Sequence, residues 1–283
     1  MTQPVPNRIT DAGYIIIPKS FFIIRLIWDY LCGLMTEFPH DSIKPFSQEE
    51  NKKEQVSEMF NEIAGKYDFM NRFLSLGIDK SWRKKAIKEL GKEQPQNILD
   101  VATGTADMAI KAAKILKPQK ITGIDISEKM LEIGRRKIDS ERLTTKIELL
   151  SGDSEAINFA NNTFDGVMVA FGVRNFEDLK GGLTEILRVM KPGSKLVVLE
   201  FSKPDAGWVK VFCRWYIGKM APAIAKLFHQ NKKAYQYLNE SSMAFPDRQQ
   251  FVDILKGIGY SDTFFKPLSL GICCIYCGRK PQG

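Results

Sequence analysis

Three short apolar runs in this chain each end in polar residues that could bind a nucleoside. Asp100 closes the first run before a turn at Gly104, Asp125 closes the second, and Asp153 and Ser154 follow the third. A carboxylate in the position of Asp125 can accept hydrogen bonds from both hydroxyls of a ribose. Asp153 can accept from an adenine amino group, and the backbone N–H of Ser154 can donate to a ring nitrogen. Their order predicts an adenosine site at the carboxyl edge of a parallel sheet.

The turn after the first run reads Gly104-Thr105-Ala106 and lacks the third glycine of the G-x-G-x-x-G pattern. That pattern admits the pyrophosphate of a dinucleotide. Gly104 lets the backbone approach a ligand, and free N–H groups of a helix that starts near Thr105 point into the same space. Asp100 would complement an ammonium group, directly or through water. The turn therefore predicts an adenosyl ligand without pyrophosphate, with a plain strand-to-helix turn as the structural alternative.

A second group of candidate residues, Arg174 and Asn175, follows the fourth apolar run. A guanidinium there can steady a developing oxyanion or phenolate and position a water, while a structural ion pair is the alternative for Arg174. The chain has only two histidines, His40 and His229. It also has no serine in a G-x-S-x-G turn and no P-loop motif. These features disfavour a histidine-based dehydrogenase or hydrolase.

The elements that must position these residues follow from the hydrophobic pattern. From residue 97 onward, strand-like runs alternate with helical patterns, which indicates a doubly wound, mostly parallel α/β sheet with helices on both faces. Lys191-Pro192-Gly193 predicts a turn into the fifth strand. The last two strands are close enough to form a hairpin, which predicts one antiparallel strand in a sheet of seven. The predicted strands are 97–101, 120–125, 146–150, 164–170, 194–201, 262–266 and 271–278; the predicted helices between them are 106–116, 127–140, 178–190 and 247–258.

The chain divides into an extension, 1–47, and a domain, 48–283. The domain carries a helical cap, 48–92, and a helical insert, 205–245. The sequence Ser47-Gln48-Glu49-Glu50 matches a capping box and predicts the start of the cap. Residues 1–34 are apolar but interrupted by charges, and no run reaches the roughly 20 residues of a spanning helix. They are interpreted as a poorly ordered or loosely helical extension, an interfacial anchor, or sequence upstream of a true start at Met35.

Charge and cysteine content restrict the partners and the compartment. The net charge is +8, and between Asp205 and Glu240 basic and aromatic residues alternate with no acid. Such a segment favours an anionic membrane or nucleic acid, and an ordinary amphipathic helix pair is the alternative. The five cysteines include a lone pair, Cys274 and Cys277, which does not make a metal site or a disulfide scaffold. We expect a cytoplasmic protein with no metal, either free or peripheral at the inner face of the membrane.

A series of short motifs across residues 48–280 resembles the menaquinone/ubiquinone biosynthesis C-methyltransferase family. The resemblance implies a class I S-adenosylmethionine-dependent methyltransferase fold with S-adenosyl-L-methionine as cofactor. Two departures are visible, because Ala106 stands where many members have glycine and Ala170 where some have serine. The motifs are Tyr67-Asp68-Phe69-Met70-Asn71, Ser75-Leu76-Gly77 with Trp82-Arg83, Asn162-Thr163-Phe164-Asp165, Phe171-Gly172-Val173-Arg174-Asn175, Arg188-Val189-Met190-Lys191-Pro192-Gly193, Leu199-Glu200-Phe201-Ser202-Lys203-Pro204 and Tyr235-Gln236-Tyr237-Leu238.

The same resemblance implies a role for each candidate residue. Thr105, Asp125, Asp153 and Ser154 would contact the cofactor, whereas Tyr67, Arg174 and Asn175 would lie on the side of a prenylated quinol. The expected reaction is methylation of a ring carbon of demethylmenaquinol, with a water ordered by Arg174 and Tyr67 as proton acceptor. The equivalent step in ubiquinone biosynthesis, an RNA methyltransferase and a lipid carrier stay as alternatives. No nucleic-acid partner is expected from the resemblance, and the oligomeric state is open, with a dimer as one option.

Overall fold

The computed structural model describes residues 38, 40–47, 49, 51–204, 207–209, 211, 215 and 232–282. The predictions for residues 1–34, and most of those for the insert between residues 205 and 231, lie outside the described residues. Phe38–Gly283 forms one compact unit by its internal contacts.

Seven strands form one sheet in the order β3-β2-β1-β4-β5-β7-β6. Only β7 runs antiparallel to its neighbours, β5 and β6, so the predicted fold class is confirmed. The sequence reverses direction across the sheet between β1 and β4, and this is where ligands bind in open parallel sheets. The strands are β1 (Asn97–Val101), β2 (Lys120–Asp125), β3 (Ile147–Ser151), β4 (Phe164–Ala170), β5 (Met190–Phe201), β6 (Ser261–Leu268) and β7 (Cys273–Arg279).

The predicted turn at 191–193 lies inside strand β5 instead of before it. Met190 already pairs with Phe164, but the next pair along β4 joins Gly166 to Lys195. The residues between Met190 and Lys195 therefore leave the ladder as a bulge, in which Gly193 has a φ of 77°. The chemistry of the turn was recognised correctly, whereas the pairing on both sides of it depends on the neighbouring strand.

Helices cover both faces of the sheet because side chains alternate along each strand. Ile98 and Met168 pack towards α2, α3 and α4, whereas Leu99 and Val167 pack towards α5 and α7. Each face thereby has its own apolar cluster. The helices are α1 (Lys52–Leu74), α2 (Asp79–Leu90), α3 (Asp107–Leu116), α4 (Glu128–Ser140), α5 (Leu179–Val189), α6 (Lys232–Ala244) and α7 (Gln249–Ile258).

The cap helix α1 begins later than its sequence predicts. Its N-cap is Asn51, whose side chain accepts a hydrogen bond from the backbone N–H of Lys53. Ser47 accepts instead from the backbone N–H of Glu49, and the side chain of Gln55 accepts from the N–H groups of Phe46 and Ser47. These bonds fold the preceding chain back on the helix, so the prediction of a capping box at Ser47 is wrong.

The last part of the predicted insert is α6, which packs on α1. Ala234 and Tyr237 are buried against Val56, Met59 and Ile63, in a cluster separate from the two faces of the sheet. Helix α2, which the sequence placed in the cap, instead packs on the sheet through residues such as Ile87. Within the part of the chain that the structure describes, no helix is long and apolar enough to cross a bilayer.

Candidate active site

The turn between β1 and α3 is built on left-handed backbone conformations. Ala102, Gly104 and Ala106 have φ of 52°, 57° and 63°. Only glycine adopts this region without steric cost, so the two alanines hold the turn at the expense of some strain. A Cβ added to Gly104 would meet no atom within 4 Å. The turn therefore leaves open space for a ligand beside Gly104.

Asp100 lies at the end of β1, with 1% of its surface exposed. Its Oδ2 accepts a hydrogen bond from Thr103 Oγ1 at 2.7 Å, while Oδ1 has no hydrogen-bond partner among the described residues. Burial raises the pKa of Asp100 to about 7, although the Thr103 hydroxyl and the charge of Arg83 oppose that rise. A buried acceptor without a donor costs free energy, so this oxygen is suited to a cationic or water-borne donor.

Asp125, at the end of β2, organises the turn from the side. Its Oδ2 accepts from the backbone N–H of Gly104 at 2.8 Å, and its Oδ1 accepts from the N–H of Ser127 at 2.9 Å. Burial raises the pKa of Asp125, whereas the hydrogen bonds from Ser127 and Gly104 oppose the rise. Each carboxylate oxygen has a second lone pair, so Asp125 can still accept from two hydroxyls of a ligand.

Asp153, after β3, is held by Lys53 of the cap helix. Lys53 Nζ donates to Asp153 Oδ2 at 2.6 Å and lies 3.0 Å from Glu155 Oε2. Burial lowers the pKa of Lys53, but the hydrogen bonds to the two acids outweigh it and raise the pKa above its ordinary value. Asp153, which the sequence assigns to the adenine amino group, is therefore already in an ion pair with α1.

Asp125 and Asp153, but not Asp100, line one solvent-open cleft, whose empty space of about 660 Å³ includes open solvent. The cleft brings together six of the nine candidate residues, together with Ala170 and side chains of α1 and α4. The six are Tyr67, Gly104, Asp125, Asp153, Ser154 and Asn175.

Thr105 does not line the cleft. Its hydroxyl donates to Asp68 Oδ1 at 2.6 Å and accepts from Lys137 Nζ at 3.1 Å. Lys137 also bonds Asp107, which receives Arg72 on its other oxygen at 3.0 Å. Thr105 therefore belongs to a charged network that ties α1 to α3 and α4.

Arg174 is buried below the turn that follows β4. Its Nη1 donates to Glu200 Oε1 at 2.6 Å and to the backbone carbonyl of Phe171 at 2.8 Å. Burial raises the pKa of Glu200, and the Arg174 charge opposes that rise. Arg174 does not line the cleft, but the carbonyl that it holds belongs to Phe171, which does.

Asn175 reaches the cleft from the same turn and is supported by the insert. Tyr237 of α6 donates from its hydroxyl to Asn175 Oδ1 at 3.3 Å. Burial raises the pKa of Tyr237 above its ordinary value. Tyr237 is therefore protonated at any physiological pH and serves as a donor.

Sequence reasoning missed several lining residues that come from α1. Lys53, Val56 and Phe60 face the cleft on successive turns, with Phe60 edge-to-face on Tyr67 at 5.7 Å. The helical pattern of the cap was visible in the sequence, but no motif marks these side chains as ligand contacts. Among the described residues there is no cluster of His, Cys, Asp and Glu that could hold a metal ion.

The strand order and the acids at the carboxyl edge define the class, a class I methyltransferase fold. One similar solved structure is a SAM-dependent methyltransferase from Thermotoga maritima, with a TM-score of 0.55 and 17% identity over 80% of this chain and 99% of that one. Another is the [4+2]-cyclase SpnF, with a TM-score of 0.53 and 18% identity over 82% of this chain and 97% of that one. These likenesses show the fold alone, and the cyclase illustrates that a fold does not determine a reaction.

The particular family follows from the sequence comparison. The chain belongs to the ubiE/COQ5 methyltransferase family, whose model matches residues 48–280. It is 44% identical to the demethylmenaquinone methyltransferase of Bacteroides fragilis, over 86% of this chain and 99% of that protein. It is 42% identical to the ubiquinone/menaquinone biosynthesis C-methyltransferase UbiE of Geotalea daltonii, over 81% and 97%. The family resemblance found in the motifs is thereby confirmed.

Proposed function

We propose that this protein transfers a methyl group from S-adenosyl-L-methionine to a ring carbon of demethylmenaquinol. The observation that carries the proposal is that Asp125, Asp153 and Asn175 line the same cleft. Membership of the ubiE/COQ5 methyltransferase family and the name of the Bacteroides fragilis relative support it.

The residues present fit the cofactor. The open space at Gly104 would admit its ribose and amino-acid chain, and Asp125 would accept from the ribose hydroxyls. Asp153 and Ser154 would hold the adenine, and the buried Oδ1 of Asp100 would complement the ammonium group through a water. Thr105 has an indirect role, because its hydrogen bond to Asp68 fixes α3 against α1. When bound, the cofactor supplies an electrophilic methyl group.

The remaining residues hold the quinol and its proton. The Tyr67 hydroxyl and the Asn175 amide face the ring, and a water between them takes the proton from the quinol hydroxyl. Arg174, paired with Glu200, holds the carbonyl of Phe171 and thereby positions the turn that carries Asn175. Alignment of the ring carbon with the methyl group supplies roughly 7–11 kcal/mol of the reduction in barrier.

The substrate carries a long apolar tail, which favours a peripheral position on the membrane. In the insert, Trp208, Val211 and Trp215 are 70%, 67% and 59% exposed. They follow one another at helical spacing and alternate in sequence with Lys210 and Arg214. This combination supports contact of the basic aromatic insert with the inner face of an anionic membrane.

The test is methyl transfer from methyl-labelled cofactor to demethylmenaquinol, with cofactor binding measured separately by calorimetry. We expect label in the quinol. Tyr67→Phe keeps the contact with Phe60 and removes only the hydroxyl, so kcat is expected to fall about tenfold or more with the cofactor Kd unchanged. A folded protein that binds the cofactor without labelling any quinol would overturn the substrate, and one that does not bind it would overturn the reaction.

A second candidate is the equivalent C-methylation of the benzoquinol precursor of ubiquinone. The name of the Geotalea daltonii relative covers both quinones. The same assay with both quinols, mixed in equal amounts, decides between them. Preferential labelling of the benzoquinol would favour the ubiquinone pathway.

A further inference from the structure

Two loops at the carboxyl edge of the sheet expose large apolar side chains. Leu76 and Ile78, between α1 and α2, are 68% and 43% exposed, and Leu270, between β6 and β7, is 60% exposed. Phe69, in the last turns of α1, is 52% exposed. Single exposed apolar residues are ordinary, but three on adjoining loops with a fourth on the helix before them are not.

The two loops form one surface. Trp82 Nε1 donates to Ser269 Oγ at 2.8 Å, and the backbone N–H of Trp82 donates to the carbonyl of Ile78 at 3.1 Å. Leu270 is next to Ser269 in the chain. The β6–β7 loop lies at the carboxyl edge, because Cys273 pairs with Phe201 at the end of β5. We call Phe69, Leu76, Ile78 and Leu270 the apolar rim.

The backbone shows that the two leucines of the apolar rim are held at a conformational cost. Leu76 and Leu270 have φ of 51° and 56°. Bulky side chains rarely adopt this region, in which glycine or asparagine is favoured. Because both leucines are exposed, burial against the described part of this chain does not offset the conformational cost. Exposed leucines in a strained conformation therefore indicate a binding role for their apolar side chains.

A basic surface begins beside the apolar rim. The exposed face of α2 consists of lysines and one serine, and none of these lysines has an ion-pair partner among the described residues; they are Lys80, Lys84, Lys85 and Lys88. Lys80 and Lys84 are one helical turn apart, within a Debye length of the rim. The exposed acids of α1, Glu54, Glu58 and Glu62, lie on its earlier turns, about 10 Å or more along the helix from Phe69.

We propose that the apolar rim inserts into a bilayer that contains anionic phospholipid, with the lysines of α2 on its headgroups. Each lysine near such a surface strengthens binding about fivefold, and each inserted leucine strengthens it about tenfold or more. The acids of α1 favour the orientation in which the end of α1, and not its beginning, meets the lipid.

The apolar rim also bears on how the quinol reaches the site, and this inference rests on the proposed function. Trp82, under the rim, has its ring 6.5 Å from that of Phe171, and the Arg83 guanidinium lies 5.2 Å from the same ring. Phe171 in turn lines the cleft. Phe171 and Trp82 thus connect the wall of the cleft to the rim by ring packing, so a bilayer bound at the rim would lie next to the site that takes the quinol.

The experiment measures co-sedimentation of the full chain with phosphatidylcholine vesicles that contain or lack phosphatidylglycerol. The double variant Leu76→Asn, Leu270→Asn places a residue tolerant of left-handed backbone at both sites, so it is expected to fold as well as wild type. We expect it to bind anionic vesicles about a hundredfold more weakly. The triple variant Lys80→Gln, Lys84→Gln, Lys85→Gln is expected to lose binding about a hundredfold on anionic vesicles only.

A matched control removes the same charge from the opposite edge of the sheet. Lys117, Arg142 and Lys146 are exposed and lie next to the beginnings of β2 and β3. The triple change of these residues to Gln is expected to leave vesicle binding within about twofold of wild type, since these charges are more than a Debye length from the rim.

Three results would overturn the proposal. One is wild-type binding by the rim variant, as expected if residues 1–37 cover the rim or provide the anchor themselves. Another is an equal loss in the control triple variant. The third is a dimer that dissociates in the rim variant without any vesicle binding by wild type, which would make the rim an interface between copies. Methyl transfer to a short-tailed quinol, unchanged in the rim variant, is a separate readout, so failure of the reaction and failure of the surface are distinguishable.

Discussion

At the scale of single residues, the most informative contact is the ion pair that closes the adenosine side of the cleft. Lys53 and Asp153 are 100 positions apart in sequence and 2.6 Å apart in space. The cofactor carries a net positive charge and needs an acceptor for its adenine amino group. Lys53 therefore competes with the cofactor for Asp153, and it places a like charge beside it.

We expect Lys53→Met to bind S-adenosylmethionine about two- to fivefold more tightly, the worth of a partly exposed ion pair. S-adenosylhomocysteine lacks the sulfonium charge, so its gain should be smaller. Lys53→Arg keeps the pair and should bind as wild type. Calorimetric titration of both ligands measures the change. Weaker binding by the Met variant would mean that Lys53 contacts the ligand itself.

At the scale of elements, α1 supplies one wall of the cleft at the carboxyl edge of the sheet. Its first half carries Lys53 and packs on α6, and its second half is held by the charged network around Lys137. Lys137 bonds Asp68 at 2.9 Å and also bonds Asp107, so one cation joins α1, α3 and α4. Burial raises the pKa of Asp107, but the charge of Lys137 outweighs it and lowers the pKa below its ordinary value.

Lys137→Met should lower the free energy of unfolding by about 1–3 kcal/mol, because Asp68 and Asp107 lose a charged hydrogen-bond donor. Since α1 forms one wall of the cleft, cofactor affinity should fall as well. Lys114→Met is the matched control, because Lys114 pairs only with Glu141 among the described residues and both side chains are nearly half exposed. It should cost under about 1 kcal/mol. Urea unfolding measures both, and equal losses would contradict a joining role for Lys137.

At the scale of the whole molecule, the sequence predicted the sheet better than the cap. The bounds of β1, β2 and β4 agree to the residue, because each is an apolar run that a polar turn ends. Three features of the site were not predictable in the same way. They are the side to which the Thr105 hydroxyl points, the identity of Glu200 as the partner of Arg174, and the position of Lys53. They depend on how α1 and β5 pack against the turns, and no local pattern records that packing.

The buried acids under the cleft affect the stability of the whole fold. The pKa of Asp100 rises from its ordinary 3.8 to about 7 in the folded protein. Between these values the folded state keeps a proton that the unfolded state releases. The stabilisation is therefore complete below about pH 4 and is lost as the pH rises towards 7, which amounts to about 4 kcal/mol for about three pH units.

Asp100→Asn tests this link between stability and binding. The amide keeps an acceptor for the Thr103 hydroxyl but cannot ionise, so its stability should not fall through this pH range. Relative to the variant, wild type should lose about 3 kcal/mol between about pH 5 and pH 8.5, or about 6–12 °C in melting temperature. Above pH 7 the variant should thus melt higher and yet bind S-adenosylmethionine more weakly, because the ammonium group loses its carboxylate. An equal change of melting temperature with pH in both proteins would show that Asp100 does not ionise in this range, and unchanged affinity would show that it is not the partner of the ligand.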